Sequence, residues 1–145
     1  GTMYKLFVCA FLFSAFTFFS STSFAQDGND FHVVHVQTIK MHGVMGDDAE
    51  AFNETLKRQA QTINNDSRVL RSYVLRHFWG ADSRDLVLVT EFENSENLFS
   101  FYNELDSIFE KAYSQEQRDK DDALWNKYVG QHSDEIYRVV SDTRK

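Results

Sequence analysis

The chain has 145 residues, of which 22 are acidic and 15 are basic, and its formal net charge is −7. A charge of this sign repels phosphate backbones and anionic lipid surfaces, which argues against a nucleic-acid-binding protein. The single cysteine, Cys9, cannot form a disulfide within one chain.

The first 25 residues are typical of a secretory signal peptide that follows a short cloning remnant. Lys5 supplies a positive start, and the apolar run LFVCAFLFSAFTFF occupies residues 6–19. This run is shorter than the stretch of about 20 residues that a helix needs to cross a bilayer. Ser23 and Ala25 are small residues at the positions that signal peptidase inspects. We expect cleavage after Ala25, export to the periplasm or the medium, and no stable membrane insertion afterwards.

Removal of those 25 residues leaves 120, the length of one domain, without a cysteine for thiol catalysis. No internal repeat or low-complexity tract divides this part of the chain. We expect a short mobile leader at 26–30, QDGND, followed by a single α+β domain at 31–145.

A strand and a helix are predicted at the start of the domain. Residues 31–41, FHVVHVQTIKM, are rich in β-branched side chains, and neither face of the resulting strand is wholly polar. In residues 47–66, DDAEAFNETLKRQAQTINND, apolar side chains recur at helical spacing. Asp47 and Glu50 match a capping-box pattern at the start of this helix.

Two further strands form a predicted hairpin. Residues 69–79 alternate between two faces, and GADSRD follows as a polar loop. Residues 86–92 contain the run Leu-Val-Leu-Val, which is typical of a strand buried on both faces.

The last third of the chain predicts two helices and a short strand. One helix begins at Ser95, and a second begins near Ser114, which forms a capping pattern with Gln117. The second helix is expected to end at Gly130, and residues 134–142, DEIYRVVSD, predict the final strand.

The order strand, helix, strand, strand, helix pair, strand predicts the split βαβ, or ferredoxin-like, arrangement. This α+β fold has an antiparallel four-stranded sheet with its helices on one face. The other face needs cover, because two of the strands are apolar on both sides. A second copy of the chain is the simplest cover, so we expect a homodimer.

In element order, size and two-faced strands, the segment from Phe31 to Val140 resembles the dimeric α/β-barrel superfamily. This superfamily includes the antibiotic-biosynthesis-monooxygenase-like, NIPSNAP-like and EthD-like families. The resemblance implies a paired barrel and a small-molecule cavity between sheet and helices in each subunit. Some members are oxygenases without a cofactor, some isomerise small molecules, and some degrade haem. The Asn, Trp and His set of the haem-degrading members has no matching pattern here, so no cofactor is expected.

His77 is the candidate catalytic residue, because a histidine can move protons at neutral pH. Tyr73 and Trp79 share its predicted strand face and offer polar groups on flat apolar rings, which suits an amphipathic ligand. We therefore expect this face, rather than the one with Val74 and Phe78, to line the cavity. The structural alternative is that Trp79 packs over the hairpin end and His77 is a hydrogen-bonded framework residue.

His35 and Glu91 are further ligand-binding candidates. A carboxylate within an apolar strand, such as Glu91, needs a partner or a raised pKa and could act as a base. The alternatives are a structural role for His35 and a solvated strand end for Glu91.

No metal site is predicted. His32 and His35 are three residues apart on a strand and point to opposite faces, and in the predicted sheet the third strand separates His35 from His77. The acidic residues of the last helix are expected to form a solvated face: Asp119, Asp121 and Asp122.

These patterns favour an exported protein that binds a small apolar or aromatic molecule. The enzyme hypothesis is a cofactor-free oxygenase or isomerase in which His77 carries the proton. The alternative is a non-catalytic binding or interaction protein whose core is filled by side chains. A void lined by His77, Tyr73 and a carboxylate would favour the enzyme.

Overall fold

A computed structural model describes residues 31–144. The predicted signal peptide at 1–25 and the predicted leader at 26–30 lie outside the described residues. The elements in chain order are β1 (Val33–Met41), α1 (Asp47–Asn64), β2 (Val69–Arg76), β3 (Asp85–Phe92), α2 (Ser95–Ala112), α3 (Gln115–Tyr128) and β4 (Val129–Arg138).

The four strands form one antiparallel sheet in the order β2-β3-β1-β4. The central strand β1 pairs with β3 on one side and with β4 on the other, so the first and last strands of the chain are neighbours. The predicted ferredoxin-like α+β fold is therefore confirmed.

Two apolar clusters join the three helices to the same face of the sheet. The first contains Val33 and Phe92 with the α2 residues Leu98, Phe101 and Leu105. Aromatic rings dominate its centre, because the ring centroids of Phe92 and Phe101 lie 5.4 Å apart. This cluster covers one end of the central strands.

The second cluster covers the opposite end of the same strands. It packs Ile39 and Leu86 against Phe52 of α1 and against Trp125 and Tyr128 of α3. Ring contacts again connect the helices, since the centroids of Phe52 and Trp125 lie 5.2 Å apart.

Polar side chains separate the two clusters. On β1, His35 and Gln37 lie between Val33 and Ile39 on the helix-covered face. On β3, Thr90 pairs with His35 in the register and occupies the equivalent position. A helix-covered sheet with a polar middle is a place where a ligand can be held by hydrogen bonds inside an apolar shell.

The opposite face of the sheet carries apolar side chains that no helix of the described chain covers. Val34 and Val36 of β1 are half-buried, and Tyr73, Leu75 and Tyr137 are about half exposed. The loop after β2 adds the almost fully exposed rings of Phe78 and Trp79. We call this uncovered surface of the sheet the open face.

The helix ends differ in part from the predicted ones. Gly46, not Asp47, is the N-cap of α1, and no side chain caps this helix, so the predicted capping box is wrong. Gly46 has a φ of 63°, a conformation that suits glycine. Ser114 accepts a hydrogen bond from the backbone N–H of Gln117 at 3.2 Å, which confirms the capping pattern of α3.

The final strand lies earlier in the chain than predicted, because β4 begins at Val129, directly after the last residue of α3, and ends at Arg138. Gly130 therefore lies in the strand rather than at a helix end. A Cβ at this position would meet the carbonyl oxygen of Lys40 at 2.8 Å, so the close approach of the neighbouring strand requires glycine.

Candidate functional site

A cavity of about 100 Å³ lies between the helices and the covered face of the sheet. The sheet contributes the polar middle just described, and α1, α2 and α3 supply the walls. The lining side chains used below are His35, Ser72, Val74, Leu88, Thr90, Ala60, Tyr102, Tyr113, Arg118, Asp121, Asp122 and Trp125.

His35 is 6% exposed, and both of its ring nitrogens have a partner. Nε2 lies 2.8 Å from Oδ1 of Asp134, and Nδ1 lies 2.5 Å from the hydroxyl oxygen of Tyr102. A carboxylate can only accept a hydrogen bond, so Nε2 donates to Asp134 and Nδ1 of the neutral ring accepts the Tyr102 proton. The three side chains form a Tyr–His–Asp chain, and two of its members, His35 and Tyr102, line the cavity.

Asp134 is held in its charged form. Burial alone would raise its pKa, but the hydrogen bond from His35 and attraction to His35 and His132 lower the pKa of the carboxyl below its ordinary value. Gln37 Nε2 donates to Oδ1 at 2.8 Å, and His132 Nδ1 lies 2.7 Å from Oδ2. A carboxylate fixed in this way orients the imidazole, as a base in a proton-transfer site requires.

A second polar cluster lies on the helix side of the cavity, around Asp121. This residue is 3% exposed. Its Oδ1 accepts hydrogen bonds from Thr55 at 3.0 Å, Arg58 at 2.6 Å and Gln117 at 2.9 Å. The prediction that Asp121 belongs to a solvated face is therefore wrong, because the phase of α3 turns it inward beside Trp125.

Burial also raises the pKa of two side chains near this cluster, Asp122 and Tyr113. Burial raises the pKa of the Asp122 carboxyl, and the neighbouring negative charges of Asp119 and Asp121 raise it further. Burial likewise raises the pKa of the Tyr113 hydroxyl. That hydroxyl contacts Thr62 Oγ1 and donates to the carbonyl oxygen of Arg58 at 3.0 Å.

Of the predicted site residues on strands, only His35 lies at the cavity. Ser72 and Val74 of β2 face the cavity, whereas Tyr73 points to the open face and is 43% exposed. The prediction that the Tyr73 face lines the cavity is therefore wrong for this cavity. The register of β2 against β3 explains this orientation: Ser72 pairs with Thr90 of the covered face, so its neighbour Tyr73 points to the opposite face.

His77 and Trp79 lie beyond the end of β2, away from the cavity lining. Trp79 is 90% exposed, so it does not pack over the hairpin end as the structural alternative expected. The backbone N–H of His77 donates to the carbonyl oxygen of Asp85 at 3.2 Å. Its buried Nε2 has no hydrogen-bond partner within the described part of the chain.

Glu91 is 4% exposed and points to the side of the open face, so it is not a solvated strand end. Three basic side chains contact the carboxylate of Glu91. His32 Nδ1 lies 3.2 Å and Arg71 Nε 3.1 Å from its carboxylate oxygens, and Arg144 also contacts it. Glu91 thereby fastens the C-terminal segment to β3, and it does not line the cavity.

Sequence reasoning missed Asp121, Tyr102 and Asp134 as members of a polar site. The signal for Asp121 was its spacing, since Asp121 precedes Trp125 by four residues and so shares one helix face with it. Tyr102 was predicted only as part of an apolar stripe. Asp134 could be paired with His35 only through the register of β1 and β4.

Among residues 31–144, no group of three or more His, Cys, Asp or Glu side chains could hold a metal ion. No helix in this range is both long and apolar enough to cross a membrane.

No protein-family model matches the sequence, and no curated protein matches it. Solved structures do match. A variant of SnoaB from Streptomyces nogalater, described as a cofactor-independent oxygenase, has a TM-score of 0.53 at 14% identity, and the match covers 81% of this chain and 100% of SnoaB. A proposed antibiotic biosynthesis monooxygenase from Nitrosomonas europaea has a TM-score of 0.54 at 13% identity and covers 80% and 97% of the two chains.

A dimeric ferredoxin-like protein from an uncultured marine organism is similar to the same degree. Its TM-score is 0.51 at 15% identity, with 79% of this chain and 93% of that chain covered. Likeness at these identities shows the fold alone. At that level it confirms the resemblance to ferredoxin-like proteins that include antibiotic-biosynthesis-monooxygenase-like domains.

Proposed function

We propose that the protein binds a small, largely apolar ring compound in the cavity between sheet and helices, and that His35 exchanges a proton with it. The observation that carries this proposal is the buried His35 at the cavity wall, with Asp134 on one nitrogen and Tyr102 on the other. Burial in an apolar shell strengthens such hydrogen bonds, and the charged Asp134 stabilises the imidazolium that forms.

The proton would pass through Tyr102. An acidic C–H or O–H of the bound compound gives its proton to the Tyr102 oxygen, and the hydroxyl proton moves to His35 Nδ1. The resulting imidazolium donates to Asp134 through Nε2. The deprotonated compound can regain a proton at another atom, which is an isomerisation, or react with dioxygen as in a cofactor-free oxygenase. The SnoaB fold match supports the second course as a proposal.

The second candidate function is that of a non-catalytic interaction protein whose core is largely filled by side chains. The cavity of about 100 Å³ favours it, since small-molecule sites generally enclose about 300–1,000 Å³. In this case His35, Tyr102 and Asp134 would only satisfy one another within the core.

We further propose that the protein is a homodimer whose subunits cover each other's open faces. The half-exposed Tyr73, Leu75 and Tyr137 support this pairing, as does the dimeric ferredoxin-like relative. Light scattering coupled to size exclusion should give twice the mass of one chain. A monomer at micromolar concentration would contradict it.

Export remains part of the proposal, and it rests on residues 6–25 of the sequence. Intact-mass measurement of the protein from its own host should show a mature chain that begins at Gln26. A product in the membrane fraction that retains residues 3–25 would contradict it.

Binding is tested by filling the cavity. Ala60 lines the cavity, whereas Ala51 is exposed on the same helix. We expect Ala60→Leu to abolish retention of a host ligand in native mass spectrometry, and Ala51→Leu to leave it unchanged. Equal retention by both variants would place the ligand elsewhere.

Catalysis is tested by comparing two histidines. With a substrate found among the retained compounds, His35→Gln should remove turnover while the melting temperature is measured in parallel. His77→Gln is the matched variant, because His77 is the sequence-predicted proton carrier but lies outside the cavity lining. Loss of turnover in His77→Gln alone would assign the proton to His77 instead. Turnover that is unchanged in both variants would exclude both histidines as the proton carrier.

A further inference from the structure

The carboxylate of Asp121 is satisfied on one side only. Its Oδ1 accepts three hydrogen bonds, from Thr55, Arg58 and Gln117. Its Oδ2 is buried and has no hydrogen-bond partner among residues 31–144. A carboxylate has about four acceptor positions, so Oδ2 retains the capacity to accept a proton donor. Buried polar atoms without a partner are rare in folded proteins, and each one calls for an explanation.

A second buried polar atom without a partner lies one helical turn away. Trp125 is 8% exposed, and its Nε1–H donates to no group in the described part of the chain. Asp121 and Trp125 are four residues apart on α3 and therefore share one face of the helix. Both side chains line the cavity. The same wall thus presents one acceptor and one donor a helical turn apart. Arg118 of the same helix also lines the cavity, and its buried Nε is a further donor without a partner among residues 31–144.

We propose that Asp121 Oδ2 and Trp125 Nε1 form a hydrogen-bonding subsite that takes the hydroxyl group of a neutral ring compound. A hydroxyl group donates one hydrogen bond and accepts others, so it can satisfy both atoms at once. A carbonyl group could pair only with Trp125, and an ammonium group only with Asp121. This inference rests on the proposed function in one respect, namely that the ligand occupies this cavity.

The charges around the subsite select a neutral ligand. The negative charge of Asp121 is paired with Arg58. The lining holds one further charge of each sign, Arg118 and Asp122, so the charges around the subsite balance and favour neither a cation nor an anion. Aromatic walls from Tyr102, Tyr113 and Trp125 complete a site for a flat ring.

Phenol and toluene are the probes that separate this subsite from a purely apolar cavity. They have one ring each and differ in a hydroxyl or a methyl group. Burying a hydroxyl group without a partner is costly, so an apolar cavity should bind phenol roughly five- to hundred-fold more weakly than toluene. The proposed subsite predicts the opposite order, with phenol bound at least as tightly as toluene.

Binding can be followed through Trp125 itself. The chain has two tryptophans, so Trp79→Phe leaves Trp125 as the only emitter. Trp79 is exposed and outside the cavity lining, so this background should bind as the unmodified chain does. Titration with each probe, excited at the red edge of the tryptophan band, gives the two dissociation constants.

Two variants assign the effect to Asp121. Asp121→Asn replaces the free oxygen by an amide N–H₂ when the amide oxygen keeps the Oδ1 contacts, so the preference for phenol over toluene should fall about tenfold or more. Gln117→Met is the control, because it removes one donor to Oδ1 and leaves Oδ2 unchanged; its preference should be retained. Circular dichroism establishes that each variant is folded. The comparison of phenol with toluene in the protein with Asp121 and Gln117 unchanged is a separate test that needs neither variant.

The outcomes distinguish the two proposals. Toluene bound and phenol rejected would overturn the subsite and leave the cavity as the binding site. A preference for phenol that survives in folded Asp121→Asn would also overturn the assignment to Asp121. Absence of binding by both probes at millimolar concentration would overturn the subsite and the proposed function together.

Discussion

Replacing Asp121 by Asn and Arg58 by Met, singly and together, measures how strongly this buried ion pair is coupled. The atoms Arg58 Nη2 and Asp121 Oδ1 lie 2.6 Å apart, and the Asp121 side chain is 4% exposed. Two unit charges about 4 Å apart attract by about 4 kcal/mol at an effective dielectric constant of about 20. The Arg58 side chain is 31% exposed, so solvent screening and the ordering of the arginine reduce this value. We expect a coupling free energy of about 2 kcal/mol.

The assay is urea denaturation of the four proteins, followed by far-ultraviolet circular dichroism at one protein concentration and physiological salt. A matched control cycle uses Glu116 and Lys120, an exposed i,i+4 pair on the same helix whose side chains are 79% and 66% exposed. That pair should couple by only about 0.3–0.5 kcal/mol. If the Asp121–Arg58 coupling is no larger than that of the control pair, Asp121 is not held as a buried charged group, and its Oδ2 is not a free charged acceptor in the cavity.

Three further changes test other parts of the structure by the same denaturation assay. Glu91→Gln should lower the free energy of unfolding by about 1–3 kcal/mol, because it removes the charge that holds the C-terminal segment. An unchanged urea midpoint would contradict this prediction. Gly130→Ala should lower the free energy of unfolding by about 1–3 kcal/mol, because its Cβ would meet the Lys40 carbonyl oxygen at 2.8 Å. Gly43→Ala is the control, because a Cβ there meets nothing within 4 Å. Equal stabilities of the two variants would refute the close approach at Gly130. The lowered pKa of Asp134 means that its charge contributes stability that is present above the unfolded pKa and lost as pH falls through the folded pKa. Asp134→Asn should therefore have a lower free energy of unfolding at neutral pH, and that free energy should fall less than in the unmodified chain between about pH 5 and about pH 3. An equal fall in both proteins would contradict this prediction.

The fold could be predicted because its signals are local. Helical spacing and strand alternation are properties of short segments, and the element order alone leads to the ferredoxin-like arrangement. The start of β4 was missed because Gly130 and the polar residues after it give no strand signal. That part of β4 is fixed by pairing with β1, where Met41 is the partner of Val129.

The candidate site was harder to predict, because it depends on which face of the sheet the helices cover. The sequence contains a face with Tyr73 and His77 and another with Ser72 and Val74, and a general preference for apolar helix-facing residues chose wrongly between them. The covered face is polar in its middle, where the cavity lies. His35 was predicted as a ligand-binding residue, but its partners Asp134 and Tyr102 come from distant segments that only the fold brings together.

The most direct test of the proposed binding site is nuclear magnetic resonance mapping of a one-ring probe such as phenol on the isotope-labelled protein. The account predicts that the largest amide shift changes on binding occur at residues of the cavity lining, such as Ala60, Leu88 and Thr90. Shift changes concentrated instead at Tyr73 and Leu75 of the open face would contradict it.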